Sequence, residues 1–223
     1  RKQKIINRCR RFIIKYMGYL LTYIPGDVDI SRNIYQANGD YLETLGYLSN
    51  VYNPNFENIK TVNSETGFNI LVGNSADPSN NHFEIFECLE YAPLSYGDQE
   101  YAQQVIEKGK GLFGDNFIPL MQLIPKDQYT ELLDKIDIAI FNHKRQQAMG
   151  NTINLLGMGK TVYLQKGTSQ WNFFKTLNID ILDIKEFSLE GCIDTNKNRT
   201  IITEYFSYEN LLKQWTRIFE SKK

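Results

Sequence analysis

From about residue 67 to the C-terminus, short β-rich apolar runs take turns with segments of helical period, and this alternation constrains the fold more than any other feature. Runs at 68–72, 117–123, 136–141, 161–164 and 181–184 read as strands, with a weaker one at 91–94. Residues 81–89, 98–108, 126–135, 146–156, 170–177 and 208–219 space their apolar side chains as helices do. Repeated strand–helix units bury their apolar faces when the strands run parallel and helices cover both sides of the sheet. The expected fold class is α/β, a doubly wound parallel sheet spanning 67–223.

Ahead of it, residues 50–66 are rich in turn formers, among them Asn50, Asn53, Pro54, Asn55, Asn58 and Asn63, and read as a linker. In residues 1–49 a strand at 20–24, a turn at Pro25-Gly26 and one or two helices within 31–48 suggest the tail of a second domain, a largely helical remnant. The chain opens at Arg1 with no methionine, which raises the expectation of a fragment.

Charge is unevenly spread. The chain has 25 basic and 26 acidic residues, yet residues 1–15 hold seven basic side chains and no acidic one. Arg1, Lys4, Arg8, Arg11 and Lys15 share one stripe of a helical wheel, with Ile6, Cys9, Ile13, Met17 and Leu20 opposite. Two readings stay open: an interfacial helix drawn to an anionic membrane surface, or a helix packed on another domain with its basic face in water. Nucleic acid is not an expected partner, because the basic cluster is short and the rest of the chain is acidic. The apolar stretch 12–24 is interrupted by Lys15 and is shorter than the roughly 20 residues a spanning helix needs. Cys9, Cys88 and Cys192 have no paired spacing, which fits a reducing, cytoplasmic setting.

In an open parallel sheet, ligands bind beyond the carboxyl ends of the strands, so the loops that follow strands carry the chemistry. Residues 73–82, Gly-Asn-Ser-Ala-Asp-Pro-Ser-Asn-Asn-His, combine small residues for close backbone approach with many amide and hydroxyl groups before an expected helix start. Either they hold a ligand or Asp77 or Asn80 caps the helix that follows. After the run 136–141 come Asn142, His143, Lys144, Arg145, Gln146 and Gln147. Three potentially cationic side chains at a helix start, expected at Gln146, suit an anion such as a diphosphate. His82 and His143 are the chain's two histidines, and both fall on this edge. They could donate to phosphate or move a proton, but they lack companions for a metal site.

Other motifs fail on context. Gly159-Lys160-Thr161 leads into a strand, and Asn154 stands where a phosphate-binding P-loop has its first glycine. Asp27-Val28-Asp29 has metal-binding spacing but sits between a Pro-Gly turn and Ser31, where turn and cap duty accounts for it. No Gly-x-Gly-x-x-Gly or Gly-x-Ser-x-Gly pattern supports a dinucleotide oxidoreductase or a serine hydrolase.

The stretch from Ile70 to Glu84, Ile-Leu-Val-Gly-Asn-Ser-Ala-Asp-Pro-Ser-Asn-Asn-His-Phe-Glu, resembles the Val-Gly-Asn-Ser-x-Asp-x-Ser-Asn-x-His-x-Glu signature of the bacterial 4-acetamido-4,6-dideoxy-D-galactose (Fuc4NAc) transferases of enterobacterial common antigen synthesis. Residues 141–152 are similar to that family's Phe-x-x-x-Arg-Gln-Gln-x-x-Gly-Thr segment, with Asn151 interposed before Thr152. Pro93-Leu94-Ser95-Tyr96-Gly97 is a weaker third match. The resemblance covers roughly 66–190. It implies a GT-B glycosyltransferase whose Rossmann-like C-terminal domain binds a dTDP-sugar and whose N-terminal domain faces a polyprenyl-diphosphate-linked saccharide acceptor. No obligatory metal or other cofactor is implied, and the setting is the cytoplasm or the inner face of the plasma membrane. Its donor site maps here onto Gly73, Asn74, Ser75, Asn80, Asn81 and His82, and onto Arg145, Gln146, Gln147, Gly150 and Thr152, with His143 and Asn151 beside them. His143 and Glu84 are the candidate acid–base residues, although Glu84 could merely cap the helix that follows His82. Three alternatives remain: a transferase of the same fold with another donor or acceptor, a non-catalytic nucleotide or phosphosugar module, and a purely structural domain.

Overall fold

The computed structural model describes residues 2–52, 54, 68–86, 91–93, 97–189, 193 and 195–220. Most of the expected linker, Cys88, Cys192 and the Leu94-Ser95-Tyr96 part of the third motif lie outside them. The chain opens with α1 (Lys2–Lys15), β1 (Tyr19–Thr22), α2 (Pro25–Tyr35) and β2 (Asp40–Glu43). After the linker come β3 (Ile70–Val72), a short α3 (His82–Ile85), β4 (Tyr91–Pro93), α4 (Gln99–Phe113), β5 (Ile118–Leu120), α5 (Lys126–Lys135) and β6 (Ile138–Phe141). The remainder is α6 (Met149–Gly157), β7 (Thr161–Leu164), α7 (Ser169–Thr176), β8 (Leu182–Asp183), α8 (Thr195–Tyr205) and α9 (Tyr208–Glu220).

Strands β3 to β8 form one parallel sheet in the order β5-β4-β3-β6-β7-β8, and β1 pairs with β2, also in parallel. The doubly wound α/β expectation holds. The central strands are buried on both faces, so they read as continuous apolar runs whose alternate residues serve different cores. Leu71, Ala139, Phe141, Val162 and Leu164 face a core with Leu133, Ile153, Leu156, Phe173, Phe174 and Ile202. Their neighbours Ile70, Val72, Ile138, Ile140 and Tyr163 face a second core with Ile85, Phe86, Ala102, Val105 and Phe117.

The segment before the linker belongs to the first of these cores through Tyr23, Ile24 and Leu45, and Tyr52, at the start of the expected linker, joins them. Tyr23 meets Phe173 and Phe206 edge-on, with ring centroids 5.6 and 6.0 Å apart. The ring of Tyr52 lies where a side chain on Gly157 would have to go. The Leu45 N–H donates to Gln214 Oε1 at 2.7 Å, and the Tyr205 hydroxyl donates to Glu43. Burial, first of all, and then Glu43 push the Tyr205 phenol pKa far up.

Several boundaries differ from expectation. Residues 1–49 hold a β–α–β unit: α2 starts at Pro25, with proline in the first turn where its missing N–H costs nothing, and β2 lies where a helix was expected. Only Tyr41 and Leu42 are apolar in β2, too few to show a strand period. Of the expected helix at 81–89, residues 87–89 lie outside the described residues, and the described part holds the single turn α3, preceded by a 3-10 turn at Pro78–Asn80. Helix α6 begins at Met149, three residues after Gln146. Helix α8 was not expected, because its polar sequence Thr-Asn-Lys-Asn-Arg-Thr hides the few apolar positions it buries.

Candidate functional site

The chain order β3, β4, β5 runs to one side of the sheet, and β6, β7, β8 to the other. The connections leaving β3 and β6 therefore diverge, and a crevice opens beyond their carboxyl ends, where open α/β sheets bind ligands. Both loops singled out in the sequence leave from this point. The Gly73 N–H donates to Ile140 O at 2.9 Å, which carries the β3–β6 pairing one step past the strand.

Gly73 then turns with φ +67°, and a Cβ there would lie 2.6 Å from His82 Nε2 and 2.9 Å from Asn80 Oδ1. Only glycine fits such a turn pressed onto side chains beneath it. Asn80, fully buried, organises the loop: its Oδ1 accepts from the Asn74 N–H (2.8 Å), and its Nδ2 donates to Ser75 Oγ (3.1 Å) and Asp77 O (3.0 Å). Asp77 caps the 3-10 turn by accepting from the Ser79 N–H and hydroxyl at 2.8 and 2.6 Å. Asp77 thus caps the 3-10 turn and not the helix that follows, since α3 starts from Asn81 with no side-chain cap, and Asn80 acts as an internal strut.

Among the described residues four contacts join the two loops, and a fifth ties α3 to the second loop. His143 Nε2 lies 2.7 Å from Asn80 Oδ1, and because an amide oxygen only accepts, the imidazole donates. Asn81 Nδ2 donates to Asn142 O (2.6 Å), and Asn142 Nδ2 donates to Glu84 Oε2 (2.8 Å). The Ser79 hydroxyl donates to Gln147 Oε1 (3.1 Å), and Arg145 Nη2 pairs with Asp77 Oδ2 (3.2 Å). Glu84 reaches across to the second loop instead of capping α3.

Burial sets the protonation states. His143 is 3% exposed and His82 is fully buried. Desolvation first, and then the nearby Arg145 charge, lower the His143 pKa to about 4, against a partial opposing pull from Asp77. Desolvation and then His143 lower that of His82 to about 3. Both imidazoles are neutral at pH 7. His82 is held at Nδ1 and its backbone N–H by the Tyr101 hydroxyl, which Asp98 positions by capping α4. Tyr101 was not foreseen: its place is fixed by a contact 19 residues away, and nothing in the local pattern shows it. Asp77 is pulled below the usual carboxylate range by Ser79 first and also by Arg145.

Toward solvent, Lys144 and Arg145 are exposed, while Gln146, Gln147, Gly150 and Asn151 are half-buried. Helix α6 starts from Ala148 in the left-handed region, with no side chain capping it. The N–H groups of its first turn have no partner within the helix, and they combine with Arg145 to suit an anion. Thr152 faces inward: its hydroxyl donates to Ala148 O and accepts from Gln170 Nε2. The structure thus brings Gly73, Asn74, Ser75, Asn80, Asn81 and His82 together with His143, Arg145 and Gln147. It divides the set into a buried floor and an exposed rim. Among the described residues, no group of three His, Cys, Asp or Glu side chains is arranged around a cation.

Residues 2–218 match the family profile described as 4-alpha-L-fucosyltransferase, glycosyl transferase group 56. The fold is similar to that of AviGT4, a glycosyltransferase involved in Avilamycin A biosynthesis, with TM-score 0.58 and 9% identity over 90% of this chain and 63% of that one. It is also similar to the N-terminal domain of trehalose-6-phosphate phosphatase from Candida albicans, with TM-score 0.52 and 14% identity over 82% of this chain and 49% of that one. These solved structures speak for the fold, and this chain spans less than two thirds of the length of either. Because the profile match runs through almost every residue, this chain belongs to the glycosyl transferase group 56 family.

Proposed function

We propose that this chain carries the donor side of a glycosyltransferase that moves a deoxy amino sugar of the Fuc4NAc kind from a dTDP-sugar to a polyprenyl-diphosphate-linked saccharide. The observation that carries the reading is the meeting of the Gly73–Asn81 and Asn142–Ala148 loops at the switch point of the sheet, with Arg145 and an uncapped α6 beside them. Residues 67–223 would then be the donor-binding domain, 50–66 the linker and 1–49 the end of the acceptor-side domain.

The chemistry follows from charge. As the sugar leaves, negative charge grows on the nucleoside diphosphate, and fixed donors at a helix start stabilise it without rearranging. Arg145 supplies a full charge there, and Gly150 and Asn151 supply backbone N–H groups. Gly73 and Asn74 let the donor approach the backbone closely, while Asn80, His82 and His143 hold that surface in shape from below. The N-terminal α1 adds a surface for the membrane where a lipid-linked acceptor resides. Ile5, Phe12 and Ile13 are exposed along it and Tyr16 just past its end, and its basic side chains suit the anionic inner face. No helix of the described residues is long and apolar enough to cross a membrane.

The test is turnover by the full-length protein with a panel of dTDP-, UDP- and GDP-sugars and a polyprenyl-diphosphate disaccharide. Transfer from a dTDP-amino sugar in preference to the others is expected. Transfer from another donor class would replace the donor assignment, and nucleotide binding without any transfer would favour a regulatory module.

A further inference from the structure

In the Asp27-Val28-Asp29 segment Asp27 caps nothing: α2 starts from Ile24 with no side-chain cap, and the Asp27 carboxylate turns to Ser169. Asp27 lies in the first turn of α2, just beyond the carboxyl end of β1. Helix α7 starts just beyond the carboxyl end of β7, and the two helix starts abut: a Cβ on Gly26 would lie 2.9 Å from Ser169 Cβ. The Ser169 hydroxyl donates to Asp27 Oδ1 at 2.8 Å. The next residue, Gln170, reaches the Thr152 hydroxyl in α6 at 3.1 Å. The ligand edge of the β1–β2 sheet therefore faces the ligand edge of the larger sheet, and Asp27 stands at the junction, linked through Ser169 and Gln170 to the anion-binding start of α6.

We propose that Asp27 accepts the proton of the acceptor hydroxyl during glycosyl transfer, with Ser169 as its positioning residue. The inference rests on the transferase reading above. In the step, the acceptor oxygen bonds to the anomeric carbon while the bond from that carbon to the diphosphate oxygen breaks. The bonding pair leaves with the nucleoside diphosphate, and the hydroxyl proton passes to Asp27 Oδ2. The products are the new glycoside, the nucleoside diphosphate and a protonated Asp27, so atoms and charge balance.

Three observations single out this carboxylate. Its Oδ2 has no hydrogen-bond partner among the described residues, whereas Asp77 is tied up by Ser79 and Arg145, and Glu84 by Asn142. Among the described residues no cation pairs with it. The titratable neighbour facing it is the Tyr23 phenol; Lys15 of α1 bonds Gln36, and Lys175 of α7 bonds Ile181 O. Burial raises its pKa, outweighing the opposing bond from Ser169, and a raised pKa makes a carboxylate a stronger base.

The experiment compares full-length wild type, Asp27→Asn and Ser169→Ala in transfer assays across pH, with nucleotide binding measured alongside. Asp27→Asn is expected to lower kcat by about 10²-fold or more, the usual contribution of a general base, and to bind dTDP within about twofold of wild type. Ser169→Ala removes the bond that lowers the Asp27 pKa, so the acid limb of the kcat/KM profile should move to higher pH. A merely structural Asp27 would not move that limb, and Ser169→Ala keeps the test open if Asp27→Asn does not fold. Turnover by Asp27→Asn within threefold of wild type, or an acid limb unmoved in Ser169→Ala, would overturn the assignment. Wild type that binds dTDP and transfers no sugar would instead overturn the transferase reading, and the inference with it.

Discussion

The imidazole of His143 donates its Nε2–H to Asn80 Oδ1 across 2.7 Å, a buried bond that locks the loop after β3 to the loop after β6. The same oxygen accepts the Asn74 N–H, so one amide keeps both loops in register. Asn80→Ala would strand two donors in a site closed to water. The expected cost is about 3 kcal/mol, since each buried group left unsatisfied costs roughly 1–3 kcal/mol. A chemical-denaturation midpoint measures it, and a loss under about 1 kcal/mol would mean that the amide is not the strut it looks to be.

Acid should weaken this floor before it touches most carboxylates. His82 and His143 titrate near pH 6.5 when unfolded but only near 3 and 4 when folded, so between those values the unfolded chain binds more protons. Stability then rises with pH: the two histidines cost nothing above about pH 7 and destabilise progressively as pH falls toward 4. At pH 5 each is expected to remove on the order of 2 kcal/mol. Denaturation midpoints at pH 7 and 5 test this, and a His82→Gln, His143→Gln chain should show a much flatter dependence over that interval.

The exposed apolar stripe of α1, with Phe12 67% exposed and Tyr16 just past the helix end 63% exposed, should carry the chain to anionic bilayers. Sedimentation with phosphatidylglycerol vesicles is expected at low salt and should weaken as salt screens Lys4, Arg8, Arg11 and Lys15. Zwitterionic vesicles should not bind. Absence of binding to either would assign the stripe to a protein surface.

How far the sequence reached depended on how local each signal is. Strands such as Ile138–Phe141 announce themselves because burial on both faces demands an unbroken apolar run. The two site loops were legible because they concentrate amides and cations just after strands, and a family resemblance marked the same residues. Strand β2 and helix α8 were missed because what holds them lies outside their own pattern: β2 has only two apolar residues and none of them buried, and α8 is anchored by the buried Asn198, which bonds the backbone of Asp180. The exact start of α6 was also illegible. Ala148 adopts a left-handed cap with no capping side chain, so no residue type marks it. Whether Asn80 and His82 form a floor or a rim depends on Gly73 folding onto them, which spacing alone does not reveal.

Nucleotide binding at Arg145 is measured directly by calorimetric titration of the full-length protein with dTDP, UDP and GDP, repeated on Arg145→Ala. Selective dTDP binding is expected, weakened in the variant by about 1.5–3 kcal/mol, the usual size of a hydrogen bond to a charged group. Binding of dTDP with the same affinity in Arg145→Ala, or no binding of any nucleotide by wild type, would contradict the donor assignment.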